Sequence, residues 1–147
     1  MKYIVQKNDY DCVPVAIYNA SRYIYKDKFL LGFWLSWDRI LRICKIDRDG
    51  TTLANMMLAM SYFALSYERI RSPTIDDLIE HDGPFILSFN EIWEEPRYAE
   101  EHVAFFESLL FPINLKAGHM YSPLKMKELD ALLQGDNVDT FLLEMRL

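Results

Sequence analysis

Glycine is scarce in this sequence, with five among 147 residues and no two adjacent, so nothing in it resembles a glycine-rich phosphate loop. Cysteine is scarcer still. Cys12 and Cys44 are the only two, too few for a disulfide framework, and a reducing cytoplasm disfavours a bridge between them. No two Cys or His residues stand at zinc-ligand spacing, so neither a metal nor another cofactor is expected. Basic charge is also in deficit. A net charge of −6 and a pI near 5.0 remove the broad positive surface that nucleic acid requires. Every apolar run is broken by Lys, Asp, Arg or Gly before it reaches membrane-span length. The start, Met1-Lys2-Tyr3-Ile4-Val5-Gln6, turns polar too early for a signal peptide. These absences predict a soluble cytoplasmic protein whose partners include neither nucleic acid nor membrane. Oligomeric state has no signature in the sequence.

What is present is apolar: 51% hydrophobic residues, 14% of the chain aromatic, enough for one packed domain spanning 1–147. Tyr3-Ile4-Val5 reads as a short strand. Helices are expected from Cys12 to about Tyr25, with Asp9 or Asp11 as N-cap and Pro14 in the first turn, and from Phe29 to Cys44. The turn Asp47-Arg48-Asp49-Gly50 stops the second, and Thr51 or Thr52 caps a third through Leu53, Met56, Met57, Met60 and Phe63, methionines that read as core filler. A short helix over 74–79 follows Pro73. Cys44 ends the apolar series Leu31, Trp34, Trp37, Ile40, Leu41 and reads as an inert core thiol. After Gly83 the pattern changes to β-formers: Pro84 to Phe89, His102 to Leu109, Phe111 to Leu115 and Val138 to Met145 read as strands, with a helix from Pro123 to Leu133. The expected class is α+β, a helical first half packed on an antiparallel sheet.

One cysteine has the surroundings of a nucleophile. Acyl transfer by a thiol needs a thiolate, a base, a group that orients the base, and donors aimed at the developing oxyanion. Cys12 stands at a predicted helix start, where the positive end of the helix favours its anion. Gln6, six positions earlier, offers an uncharged side-chain donor beside the Cys12 N–H. His102, opening a strand, is the base; His81 and His119 lie in turns and read as surface residues. Asn114 on the next strand is the favoured orienting residue, with Asp130 and Asn90 as alternatives.

The order Gln6-x5-Cys12 at a helix start, Asp49-Gly50-Thr51-Thr52-Leu53, Gly83-Pro84-Phe85-Ile86 and His102-Val103-Ala104-Phe105-Phe106 resembles the papain-like bacteriocin-processing peptidases, which remove double-glycine leader peptides. The likeness spans nearly the whole chain and implies a papain-like fold. It also implies the oxyanion role for Gln6, the nucleophile for Cys12, the base for His102, and an Asp or Asn downstream as third member. Two departures stand out. Val13 replaces the glycine that usually follows the nucleophile, predicting a narrower or differently shaped acyl pocket, and Leu115 follows Asn114 where the family often has proline.

Two functional readings follow: a cysteine peptidase or related thiol acyl-hydrolase acting on a polypeptide, and a catalytically silent papain-like module that sequesters a protein partner. The stretch Asn90 to Glu101 is long for a hairpin connection and ends at His102. As a loop over the cleft it offers Glu94 and Glu95 as part of a negative rim for basic peptide segments, and Trp93 and Tyr98 as apolar contact area.

Overall fold

A computed structural model describes residues 3–8, 11–25, 36–44, 51–93, 98–115 and 123–145. The elements in chain order are α1 (Cys12–Tyr25), α2 (Trp37–Cys44), α3 (Leu53–Tyr62), β1 (Tyr67–Arg71), α4 (Ile75–His81), β2 (Phe85–Trp93), β3 (Tyr98–Ser108), β4 (Phe111–Pro112), α5 (Met126–Leu133) and β5 (Asp139–Leu143). The strands form one antiparallel sheet in the order β1-β5-β2-β3-β4. The class is α+β, with the N-terminal helices packed on this sheet.

Strand periodicity divides the core in two. Successive side chains point to opposite faces of a sheet, so Ile86, Val103, Phe105, Phe141 and Leu143 join the cluster beneath α1, α2 and α3. Their neighbours Phe85, Leu87, Ala104, Phe106 and Leu142 join a second cluster with Leu78 of α4 and with Leu129 and Leu133 of α5. Both faces are covered. This is why the central strands read as unbroken apolar runs rather than as alternating ones. Phe85 and Phe106, paired across β2 and β3, stack with ring centroids 4.7 Å apart.

Several elements differ from the sequence expectation, each for a local reason. Tyr3-Ile4-Val5 forms no strand, because its partner is a side chain: Ile4 N–H donates to Asn19 Oδ1 at 2.9 Å and Ile4 O accepts from Asn19 Nδ2 at 3.1 Å. The carboxamide of Asn19, buried in α1, stands in for a peptide group. Of the helix expected from Phe29 to Cys44, the described part is α2 from Trp37, with Ser36 as its cap, since Ser36 Oγ accepts from Arg39 N and Ser36 O from Ile40 N; residues 29–35 and the Asp47–Gly50 turn lie outside the described residues. Thr52 caps α3 through Asn55 N, Thr74 with Asp77 forms a capping box at the start of α4, and α4 ends after His81 at Asp82, whose left-handed backbone bonds its N–H to Leu78 O. The third predicted strand shortens to Phe111–Pro112, and α5 starts at Met126, not Pro123.

The largest difference lies around His102. Instead of a long loop from Asn90 to Glu101, β2 and β3 continue as a paired hairpin, with Asn90 opposite Glu101 and Trp93 opposite Tyr98. His102 therefore sits inside β3, opposite Phe89, and does not open the strand. One strand had no sequence signal: β1, Tyr67-Glu68-Arg69-Ile70-Arg71, at the edge of the sheet, whose Arg69 pairs with Asp139 of β5 at 3.3 Å.

Candidate active site

Cys12 is the first residue of α1 and is 7% exposed. The helix starts here because Asp11 accepts its first backbone bond, from Val15 N to Asp11 O at 3.1 Å. An N-cap carboxylate ordinarily turns to the N–H of the third helical residue. That residue is Pro14, which has none. The Asp11 carboxylate points back instead and accepts from Asn8 N at 3.3 Å, tightening the turn that joins Gln6 to Cys12.

Asp11 is 6% exposed, and burial pushes its carboxyl above the usual carboxylate range, against the opposing pull of its hydrogen bonds around Asn8. The folded protein thus holds this proton more tightly than the unfolded chain, so the charged carboxyl weakens the fold once the pH exceeds its raised pKa, and the penalty disappears as the pH falls through that value. Asp11→Asn keeps an acceptor for Asn8 N–H and removes the charge. It is expected to raise Tm at pH 7, with the difference closing below about pH 4, the ordinary carboxylate range. Thermal melts of both proteins across that interval check this; an offset independent of pH contradicts it.

Gln6, His102 and Asn114 are buried at 1%, 5% and 0% exposure. Asn114 joins them. Just past β4 the chain still runs beside β3, with Ile113 N–H donating to Phe105 O at 2.8 Å. The Asn114 carboxamide then continues the ladder in place of a peptide group: Oδ1 accepts from Phe105 N at 2.8 Å and Nδ2 donates to Val103 O at 3.0 Å. The same Nδ2 reaches Gln6 Oε1 at 3.2 Å and Cys12 O at 3.3 Å. Gln6 in turn donates through Nε2 to Asn8 O at 2.9 Å.

The ring of His102 lies 2.8 Å from Asn114 O through Nε2. A carbonyl can only accept, so Nε2 carries the hydrogen and, in the neutral ring, Nδ1 holds the lone pair. The ring also meets Phe89 edge-on, with centroids 5.5 Å apart. The acceptor on this ring nitrogen is thus the main-chain carbonyl of Asn114, where the sequence pointed to its side chain. Among the alternatives, Asn90 donates to Asp136 O at 2.9 Å, and Asp130 lies on an exposed turn of α5. His81 at the end of α4 bonds Pro84 O at 2.8 Å; His119 lies outside the described residues.

Val13 is 3% exposed and belongs to the core cluster under α1, which absorbs its bulk. Cys44, fully buried in that cluster, is an ordinary core thiol whose pKa burial pushes up to about 12. The backbones of Trp93 and Tyr98 pair at the far end of β2 and β3, but their side chains, like Glu94 and Glu95, lie outside the described residues. Among those residues no helix is long and apolar enough to cross a membrane.

The missed contributors are Asn8, whose carbonyl receives Gln6, Asn19, which clamps the segment leading to Gln6, and Phe89. None carries a sequence motif. The signal available was a buried-type asparagine, Asn19, amid the apolar residues of the first helix.

The fold is found in solved proteins. The double glycine motif protease from an AMS/PCAT transporter, solved in complex with the leader peptide, superposes with a TM-score of 0.66 at 15% identity, covering 97% of this chain and 90% of that one. The peptidase domain of Streptococcus ComA, a bifunctional ABC transporter involved in a quorum sensing pathway, also gives 0.66 at 15% identity, covering 97% of each chain. No curated protein matches the sequence. The family match spans residues 1–97, which contain Gln6 and Cys12 but stop short of His102 and Asn114; on its strength the chain belongs to the Peptidase C39 family.

Proposed function

We propose that the protein is a cysteine peptidase that cuts a polypeptide after a double-glycine leader, with Cys12 as nucleophile, His102 as base, and Gln6 with the Cys12 N–H as oxyanion donors. One observation carries this reading: Asn114 touches Gln6, the first residue of α1 and His102 at once, tying the Gln6–Cys12 segment to a histidine far along the sequence. Membership of a cysteine peptidase family and a likeness in fold to a protease solved with its leader peptide point to the same chemistry.

The steps follow from the groups. The Cys12 thiolate, favoured at the positive end of α1, attacks the scissile carbonyl carbon; an S–C bond forms and the carbonyl π pair moves to oxygen. Gln6 Nε2 and the Cys12 N–H donate to that oxygen. As the tetrahedral intermediate collapses, the C–N bond breaks and the leaving amine takes a proton from imidazolium Nδ1, leaving a thioester. Water then attacks, His102 Nδ1 removes its proton, and the C–S bond breaks to release the acid and the Cys12 thiolate, restoring the thiolate beside the imidazolium. Asn114 O, accepting from Nε2–H throughout, keeps the ring in the tautomer these transfers need.

Trp93 and Tyr98, whose backbones pair beyond His102, and Glu94 and Glu95, which lie between them in sequence, are proposed to contact the peptide flanking the cut. The test is incubation with a synthetic leader peptide ending in Gly-Gly followed by a short cargo, read by mass spectrometry. Cleavage after the second glycine is expected. Binding without cleavage contradicts the peptidase and favours the sequestering module.

A further inference from the structure

We infer that the Asn114 side chain is a positioning residue for the oxyanion donor, acting through Gln6 and separately from the hold its main chain has on His102. This rests on the peptidase reading above.

The argument is one of hydrogen-bond polarity. A carboxamide has a donating end and an accepting end, and a buried one serves catalysis only if the right end faces the substrate. Two backbone groups of fixed polarity settle both amides here. Phe105 N–H can only donate, so it selects Oδ1 of Asn114 and turns Nδ2 toward three oxygens: Val103 O, Cys12 O and Gln6 Oε1. Asn8 O can only accept, so it selects Nε2 of Gln6. Between them, Asn114 Nδ2 and Gln6 Oε1 are the one compatible pairing. The chain runs from Phe105 N–H through Asn114 and Gln6 to Asn8 O without an ambiguous link. Its consequence is that the Gln6 oxygen is held against β3 and its –NH2 is held on the side of the turn that leads to Cys12. One of the two Nε2 hydrogens goes to Asn8 O, and the other is the donor the oxyanion needs.

An aspartate at 114 breaks the chain at one link. Its first oxygen still accepts from Phe105 N–H, but its second, when ionised, faces three acceptors and repels Gln6 Oε1. The Gln6 amide then keeps its bond to Asn8 O but loses the donor that held Oε1 against β3, and its second Nε2 hydrogen is no longer held in one direction. The His102 tautomer is unaffected, since a main-chain carbonyl holds it.

Two reagents separate these effects without knowledge of the natural substrate. Iodoacetamide alkylates Cys12 by displacement of iodide and develops no oxyanion. p-Nitrophenyl acetate acylates it through a tetrahedral intermediate that does, releasing p-nitrophenolate. For Asn114→Asp, acylation is expected to fall by about 10²-fold, the scale of one lost oxyanion donor, while alkylation stays within about threefold. Gln6→Ala is expected to match it, and Gln6→Ala combined with Asn114→Asp to be no slower than the slower single variant, the non-additivity of groups acting as a unit. Acylation by Asn114→Asp is expected to recover on lowering the pH, as the protonated acid again offers a donor to Gln6. Asn114→Ala, uncharged, provides the same comparison should Asn114→Asp fail to melt cooperatively. Equal losses in acylation and alkylation, or additive losses in the double variant, overturn the inference, because Asn114 then serves the nucleophile or the fold at large. A wild-type Cys12 that alkylates no faster than a free thiol overturns the peptidase reading itself, and is thus told apart from failure of the Asn114 role.

Discussion

Cys12→Ala is expected to abolish leader-peptide cleavage, a loss on the order of 10⁶-fold, the scale for deleting a nucleophile from a catalytic unit. The fold should tolerate it. The substitution exchanges one small buried side chain for another at the first position of α1, and the hydrogen bond from Asn114 reaches the Cys12 main chain, which is unchanged. Binding of the leader peptide should therefore persist while turnover disappears. Kinetics with purified wild-type and Cys12→Ala protein decide the matter: cleavage by the variant within about tenfold of wild type, far short of that loss, removes Cys12 from the chemistry.

The largest expected effect on stability comes from Phe105→Ala, at about 3–5 kcal/mol. Phe105 is fully buried on β3 beneath α1. Its ring lies 5.9 Å from that of Tyr23 on α1 and 6.2 Å from that of Tyr3 on the segment leading to Gln6. Its main chain holds both Asn114 Oδ1 and Ile113 N–H. The cavity left by the ring thus opens between the sheet, the nucleophile's helix and the Gln6 segment, and the core cannot collapse into it without shifting all three. Urea unfolding should show a lower midpoint at an unchanged m-value; a cost below about 1 kcal/mol would mean that the site's scaffold is looser than close packing allows.

The parts of this molecule that sequence announced are those where one residue carries the signal. Thr52 and Thr74 cap helices with their own hydroxyls, and strands buried on both faces appear as runs such as Phe85-Ile86-Leu87. The strand β1 escaped because an edge strand tolerates charge: Glu68, Arg69 and Arg71 look like a solvated turn until β5 pairs with them. The extension of β2 and β3 escaped because Glu91, Glu100 and Glu101 read as loop, although backbone pairing is indifferent to them. At the site, spacing picked out Gln6, Cys12, His102 and Asn114 as residues. It was silent on which atom of each is engaged. That His102 is held by a main-chain carbonyl, and that the Asn114 side chain mimics a peptide unit and turns to Gln6, depend on the path of the chain after β4, which no local pattern encodes.

The central claim is that Cys12 works as a thiolate paired with His102. Its most direct test is the rate of Cys12 alkylation by iodoacetamide as a function of pH, in wild type and His102→Ala, with Cys44 as internal reference in the same mass spectra. The prediction is a Cys12 rate that holds level down to about pH 6, instead of falling tenfold per unit below the ordinary thiol pKa of about 8.5, a collapse of that low-pH reactivity in His102→Ala, and no labelling of Cys44 in the folded protein. A Cys12 rate that follows an ordinary thiol titration and is unchanged by His102→Ala contradicts it.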